Sequence, residues 1–134
     1  MAGQKSKETA LQGPTKTRGD DAESLALQWL QARGLKLVQR NYRVALGPRA
    51  RGGEIDLILR DRDGTLVFCE VRQRSTSQHG GAAASVGAAK QRSLVLAAQH
   101  YLARLPAPPP CRFDVLAIDG ADVQWLRGAF DATP

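Results

Sequence analysis

The sequence predicts an α/β layer architecture, a sheet with helices packed on it, and three observations carry that reading. Apolar residues recur with helical spacing between Ala22 and Leu30. Two strand-like runs, 54–60 and 66–74, flank the turn sequence Asp61-Arg62-Asp63-Gly64. A second long helical stretch, 86–105, precedes two further strand-like runs. The predicted order is α-β-β-β-α-β-β within 134 residues, the length of a single domain.

Taken in order, residues 1–18 are polar and set Lys5, Lys7, Lys16 and Arg18 against Glu8, a net +3 with no apolar period. They read as a disordered basic tail ahead of one domain over 19–134. Asp20 or Asp21 is the expected cap of the first helix, which runs to about Arg33. Its stripe is Ala22, Leu25, Ala26, Trp29 and Leu30, and Gly34 ends it. Leu35–Val44 reads as a strand and Ala45–Gly53 (ALGPRARGG) as a loop. Ser75–Ser85 is small, polar and glycine-rich, and reads as a mobile loop. The second helix stops at the proline-rich stretch 106–110. Cys111–Ile118 is a predicted strand, Asp119-Gly120 a turn, and Val123–Leu126 a short last strand.

Composition excludes several classes. No run approaches the roughly 18 apolar residues of a membrane span, and MAGQKSKETALQG has no signal-peptide core. Cys69 and Cys111 lie in apolar runs without CxxC pairing, which reads as two small buried thiols rather than a disulfide or metal site. The expectation is a reduced, cytoplasmic domain with no membrane partner.

The formal charge is +6, from 19 basic and 13 acidic residues, and its placement says more than its size. Arg33, Lys36, Arg40, Arg43, Arg49 and Arg51 fall in an acid-free stretch from 24 to 53. Arg72, Arg74, Lys90, Arg92, Arg104 and Arg112 fall in another, from 71 to 113. Between them lie Glu54, Asp56, Asp61, Asp63 and Glu70. An enzyme acting on polyanions needs this segregation, the flanks to hold phosphate and the carboxylates to hold a cation. Chance clustering on a mixed surface is the alternative.

Gly64 suits the left-handed position of a three-residue hairpin loop. The register then opposes residues whose numbers sum to 126, Ile55, Leu57 and Leu59 facing Val71, Cys69 and Val67 as a core face. The other face opposes Glu54 to Arg72, Asp56 to Glu70, Ile58 to Phe68 and Arg60 to Leu66. Two carboxylates are thereby forced together, and directly opposed like charges need a proton or a cation between them. Mg²⁺ fits such a pair, since it keeps waters and takes further ligands from phosphate. It can activate a water and stabilise charge on phosphorus. Simple neutralisation by Arg72 and Arg60 remains the other explanation.

The segment Gly53-Glu54-Ile55-Asp56-Leu57-Ile58, followed by Val67-Phe68-Cys69-Glu70-Val71-Arg72-Gln73-Arg74, resembles the GEIDLI…VFVEVKxR signature of the YraN family. The likeness continues through Glu23, Ala26, Trp29-Leu30, Gly34, Asn41-Tyr42-Arg43, Lys90-Gln91 and Arg112-Phe113-Asp114-Val115. It spans about residues 19 to 130. It implies restriction-endonuclease-like α/β/α layers around a central mixed sheet of about five strands, in the PD-(D/E)xK nuclease superfamily, and a relation to Holliday-junction resolvases. Asp56 and Glu70 match the metal-binding carboxylates, and Glu23 matches the acidic residue offered by the first helix. Arg72 stands where the superfamily has its catalytic lysine, and arginine stays charged where lysine can lose its proton. Lys90, on the inward stripe Val86, Lys90, Leu94, Ala97 and Tyr101, is the other candidate base; a stem covering the sheet is the plainer role.

The remaining residues have plainer roles. Glu23 can equally solvate a helix start. Asp114 reads as structural, His79 as an ordinary loop residue, and Trp29 and Trp125 as core rather than base-stacking platforms. Candidate catalytic residues are therefore Asp56, Glu70, Arg72, Glu23 and Lys90, with Asp56, Glu70 and Glu23 around Mg²⁺ or Mn²⁺. Arg43, Arg49, Arg51, Arg74 and Arg92 are the expected nucleic-acid contacts. The leading expectation is a metal-dependent endonuclease acting on structured or branched DNA; the alternatives are an inactive nucleic-acid-binding module of the same fold and a protein-interaction adaptor. Resolvase likeness also implies a homodimer.

Overall fold

Fully apolar strand runs such as Leu57–Leu59 and Leu66–Cys69 mark strands covered on both faces, and the computed structural model has that arrangement. It describes residues 14–48, 52–74 and 86–131. The elements are α1 (Pro14–Ala32), β1 (Lys36–Val44), β2 (Gly53–Arg60), β3 (Leu66–Arg74), α2 (Ala88–Leu102), β4 (Cys111–Asp119) and β5 (Asp122–Phe130). The sheet order is β1-β2-β3-β4-β5. Only β3 and β4 run parallel, joined by the crossover through α2; the other neighbours are antiparallel. This is the α/β fold with the five-stranded mixed sheet and the element order that the sequence predicts.

Helix α1 packs on one face through Ala26 and Leu30, over Leu35, Leu57, Leu59, Val67, Cys69, Leu116 and Ile118. Helix α2 covers the other through Leu94, Ala97, Ala98 and Tyr101, over Tyr42, Val44, Ile58, Phe68, Phe113 and Val115. Gly53 lets α2 approach β2 closely, because a Cβ there would collide with the Ser93 carbonyl oxygen and with Ala97. The hairpin closes as expected, with Leu57 opposite Cys69, Leu59 opposite Val67 and Arg60 opposite Leu66. Gly64 has φ +91° in its turn.

Several expectations need correction. Helix α1 begins at Pro14, so neither Asp20 nor Asp21 starts it; proline is tolerated in a first turn, where its missing N–H has no helical partner anyway. Its buried row is Ala22, Ala26 and Leu30, one residue per turn, whereas Leu25 is 55% exposed on the flank. Helix α2 is shorter than 86–105, and β5 longer than 123–126. Cys111 is exposed at the start of β4; Cys69 is buried, and both are free thiols. The hairpin ladder stops at Leu57 and Cys69, so Ile55 does not pair with Val71. Ile55 packs instead on the α2 side, opposite to Leu57. Arg60 bonds the Gly64 carbonyl oxygen at the turn, far along the hairpin from the carboxylates. Residues 14–18 of the expected disordered tail are helical, within α1; residues 1–13 and 75–85, with the rest of that tail, the mobile loop and His79, lie outside the described residues.

Asp114 has the structural role expected of it. It is 1% exposed and accepts hydrogen bonds from Arg112 Nε at 3.0 Å, Trp125 Nε1 at 2.9 Å and the Gly128 N–H at 3.0 Å. The β4–β5 register shifts beside it, between Phe113 and Val115, and its carboxylate takes up the N–H that the bulge leaves over. Arg112 continues to Asp61 at 3.0 Å, tying the hairpin turn to β4. Trp125 and Trp29 meet edge to face at 5.8 Å, both as core-flanking residues. Asp114→Ala removes the acceptor of three part-buried donors, of which Arg112 keeps Asp61, a loss of about 2–3 kcal/mol. Urea denaturation followed by tryptophan fluorescence is expected to show that fall, with unchanged far-UV circular dichroism at low denaturant.

Candidate active site of two carboxylates

The site begins where β2 and β3 part. Past Leu57 and Cys69 the backbones no longer pair, and Asp56 Oδ2 accepts the Val71 N–H at 2.9 Å in place of a backbone carbonyl. On the other side of β2, Arg40 faces Leu57 and Tyr42 faces Ile55, so Asn41 lies opposite Asp56. Asn41 has φ +52°, the one positive value at a non-glycine among the described residues. Asparagine tolerates this conformation better than most residues. The face of β2 switches at this point, between Ile55 and Leu57, and Asp56 is turned toward Glu70.

Glu70 is 3% exposed, and its carboxyl lies within hydrogen-bonding reach of Asp56. Its Oε2 faces Arg72 Nη1 at 3.3 Å and Lys90 Nζ at 3.5 Å. Its Oε1 is buried with no hydrogen-bond partner. Burial, and then the charge of Asp56, push the Glu70 carboxyl up to about 7 against the opposing pull of Lys90 and Arg72. Lys90 thus points inward from α2 as its helix position predicts, and meets the same carboxylate oxygen as Arg72.

Glu23 arrives from α1 beside Asp56. Burial and the Asp56 charge raise its pKa, while Arg40 and Asn41 pull it down. Its Oε1 stands 3.6 Å from Arg40 Nη2 and has no hydrogen bond. Among the described residues no three His, Cys, Asp or Glu side chains stand close enough to ligate one ion. Asp56 and Glu70 are therefore the pair that can hold a cation, and Glu23 is held one step outside on Arg40. The pair fits a hard divalent ion, since Glu70 Oε1 is an acceptor in a dry place with nothing to accept.

Glu54 pairs with Arg43 at 3.3 Å rather than with Arg72. Arg43, Gly53, Lys90 and Ser93 line a shallow depression of about 570 Å³ beside the carboxylates. It adjoins a second of about 450 Å³, lined by Arg92, Lys90, Ser93 and Leu96. Two of the expected nucleic-acid contacts, Arg43 and Arg92, thus flank Lys90. Arg49 and Arg51 lie outside the described residues, and of Arg74 only the backbone is described. Arg40 and Asn41 are site residues that sequence reasoning did not single out. The available signal was an asparagine within a strand run, where it is depleted.

The sequence profile of an uncharacterised protein family, UPF0102, matches residues 22–118. A UPF0102 protein of Methylibium petroleiphilum is 66% identical over 119 residues, 89% of this chain and 98% of the relative. One from an Acidovorax species is 63% identical over 118 residues, covering 88% and 87% of the two chains. One from Cupriavidus pinatubonensis is 56% identical over 122 residues, 91% of each.

The buried pair makes a testable demand on stability. Unfolded, Glu70 titrates near 4.5, and folded near 7. The folded chain therefore binds the extra proton between those values, and stability present below about pH 4.5 is lost as pH rises through 7. The full effect is on the order of 3 kcal/mol. Urea midpoints in chelator are expected to fall between pH 5 and pH 8, and Glu70→Gln is expected to flatten that decline. A slope unchanged by the substitution would assign it elsewhere.

Proposed function

Because this chain belongs to the UPF0102 family and holds two close carboxylates next to Lys90, which lines both depressions, we propose that it is a metal-dependent endonuclease hydrolysing phosphodiesters in structured or branched DNA. The observation that carries the reading is Glu70 Oε1, buried and without a partner next to Asp56. A protein that only needed surface ion pairs would not keep such an oxygen dry, since an unmet buried acceptor is destabilising. Asp56 and Glu70 are the ligands for Mg²⁺ or Mn²⁺. When bound, the cation supplies an acidified water and a positive charge for phosphorus.

The residues of the chain divide the remaining work. Arg72, 3.3 Å from Glu70 Oε2, stays charged and neutralises the phosphate that meets the carboxylates. Lys90 Nζ, on the same oxygen at 3.5 Å, is the group that can exchange a proton with the attacking water or with the leaving oxygen. Arg43 and Arg92 hold the strand on either side of Lys90. Phosphate contacts of this kind fix register without reading sequence. Arginine in the place of the superfamily's lysine supports a second reading, a binding module that has lost turnover.

A four-way junction, a flap, a plain duplex and a single strand, each with Mn²⁺, test the choice. Cleavage is expected to fall at least 100-fold in Asp56→Asn and Glu70→Gln, a typical size for removing a charge-stabilising group. Lys90→Met is expected to lower turnover while leaving binding nearly intact. Tight binding in Ca²⁺ with no cleavage in Mn²⁺ would select the binding module, and cleavage unaffected by Glu70→Gln would reject the site. Binding is expected to weaken steeply with salt, and Arg43→Ala and Arg92→Ala are each expected to lower the log–log slope by about 1.

A further inference from the structure

Glu23 and Arg40 form an ion pair that neither partner completes. The 3.6 Å separation exceeds hydrogen-bond length, and Glu23 Oε1 and Arg40 Nε are both buried without a hydrogen bond. Among the described residues Arg40 also makes a long 3.5 Å hydrogen bond from Nη2 to Ser24 Oγ. Well-committed arginine–carboxylate pairs are shorter and bidentate. The Asn41 side chain also stands beside Glu23 and, with Arg40, lowers its pKa; Asn41 sits in its left-handed conformation opposite Asp56. Losing Arg40 would thus not release Glu23 from the site. The Arg40 side chain is itself one-third exposed, so its guanidinium has a path to solvent.

We propose that Arg40 is an exchangeable counter-ion, which neutralises Glu23 until a cation reaches Asp56 and Glu70 and then turns to the phosphate of the bound strand. The exchange deepens the nuclease reading and rests on it. Glu23 changes partner from guanidinium to cation, and Arg40 from carboxylate to phosphate, so charge is conserved at each position and no group is left bare. The site thereby links cation binding to strand binding: each ligand takes one half of a pair that the other half would otherwise hold. Arg40 acts here as a positioning residue for Glu23 and as a phosphate contact, not as an acid or base.

The test is Mn²⁺ affinity, measured by calorimetry without nucleic acid, for wild type, Arg40→Gln, Glu23→Gln and the double variant. Competition predicts that Arg40→Gln tightens Mn²⁺ at least threefold, and that Glu23→Gln weakens it. It also predicts that Arg40→Gln has no effect once Glu23→Gln is present. Arg40→Lys, which keeps the charge but not the fork, is expected to tighten Mn²⁺ less, and it serves if Arg40→Gln does not fold. Equal tightening in both backgrounds would mean simple charge repulsion and overturn the exchange. So would weakening by Arg40→Gln, the mark of a brace. Failure of wild type to bind Mn²⁺ would overturn the cation reading and the exchange with it, whereas Mn²⁺ binding indifferent to Glu23→Gln would overturn the exchange alone. Duplex binding supplies the second half: Arg40→Gln is expected to weaken it severalfold in Ca²⁺ and not in chelator. Equal losses in both would show that Arg40 reaches phosphate without releasing Glu23, against the proposal.

Discussion

Two charged carboxylates opposed in a regular antiparallel ladder destabilise it unless a proton or a cation lies between them, and the backbone at the centre of this molecule is irregular where Asp56 and Glu70 meet. The ladder between β2 and β3 ends at Leu57 and Cys69. The next N–H, that of Val71, goes to the Asp56 side chain. Asn41 takes a left-handed conformation opposite Asp56, and Ile55 is carried to the α2 side of the sheet. These three departures lie within a few residues of Asp56, whereas the β2–β3 ladder itself is regular from Leu57 to Arg60. The irregular backbone is what allows Asp56 and Glu70 to meet in a dry place without an opposed pair of strand residues forcing them there.

The electrostatics of the site are lopsided. Lys90 and Arg72 both address Glu70 Oε2, leaving Oε1 without a partner. They approach from different elements, one from a helix and one from the same strand as Glu70. The helix can deliver Lys90 because Gly53 admits α2 against β2. Packing at a glycine thus reaches the chemistry through a helix position rather than through any contact of its own.

Much of this was legible in the sequence, because periodicity reports burial. The alternating and continuous apolar runs located all five strands, and the sum rule for the hairpin register holds from Leu57 to Arg60. The glycine at the turn, the inward Lys90 and the structural Asp114 followed from spacing in the same way. What escaped was set by tertiary context. Past Leu57 the Asp56 side chain takes the Val71 N–H in place of a ladder bond, a substitution that a register argument assumes away. Leu25 belongs to the apolar stripe by number, yet α1 crosses the sheet on the Ala22–Ala26–Leu30 row and leaves Leu25 outside. Arg40 looked like one more basic residue, because nothing local marks a guanidinium that will face a helix carboxylate.

The outer strands carry a separate consequence. An open sheet ends in two rows of unpaired backbone groups, which invite further strands and, with them, aggregation. Here β1 is the edge on one side and β5 on the other. Strand β1 breaks its register between Leu37 and Gln39, and β5 opposite Asp114, with Gly128 at φ +60°. Lys36, Arg40 and Arg43 line the first edge, and Arg127 stands in the second. A flat, apolar edge of nine residues would template its own copies; a kinked and charged one presents them with a mismatch in both shape and sign. The bulge that finds its hydrogen bond in Asp114 therefore also makes the β5 edge a poor template for a sixth strand.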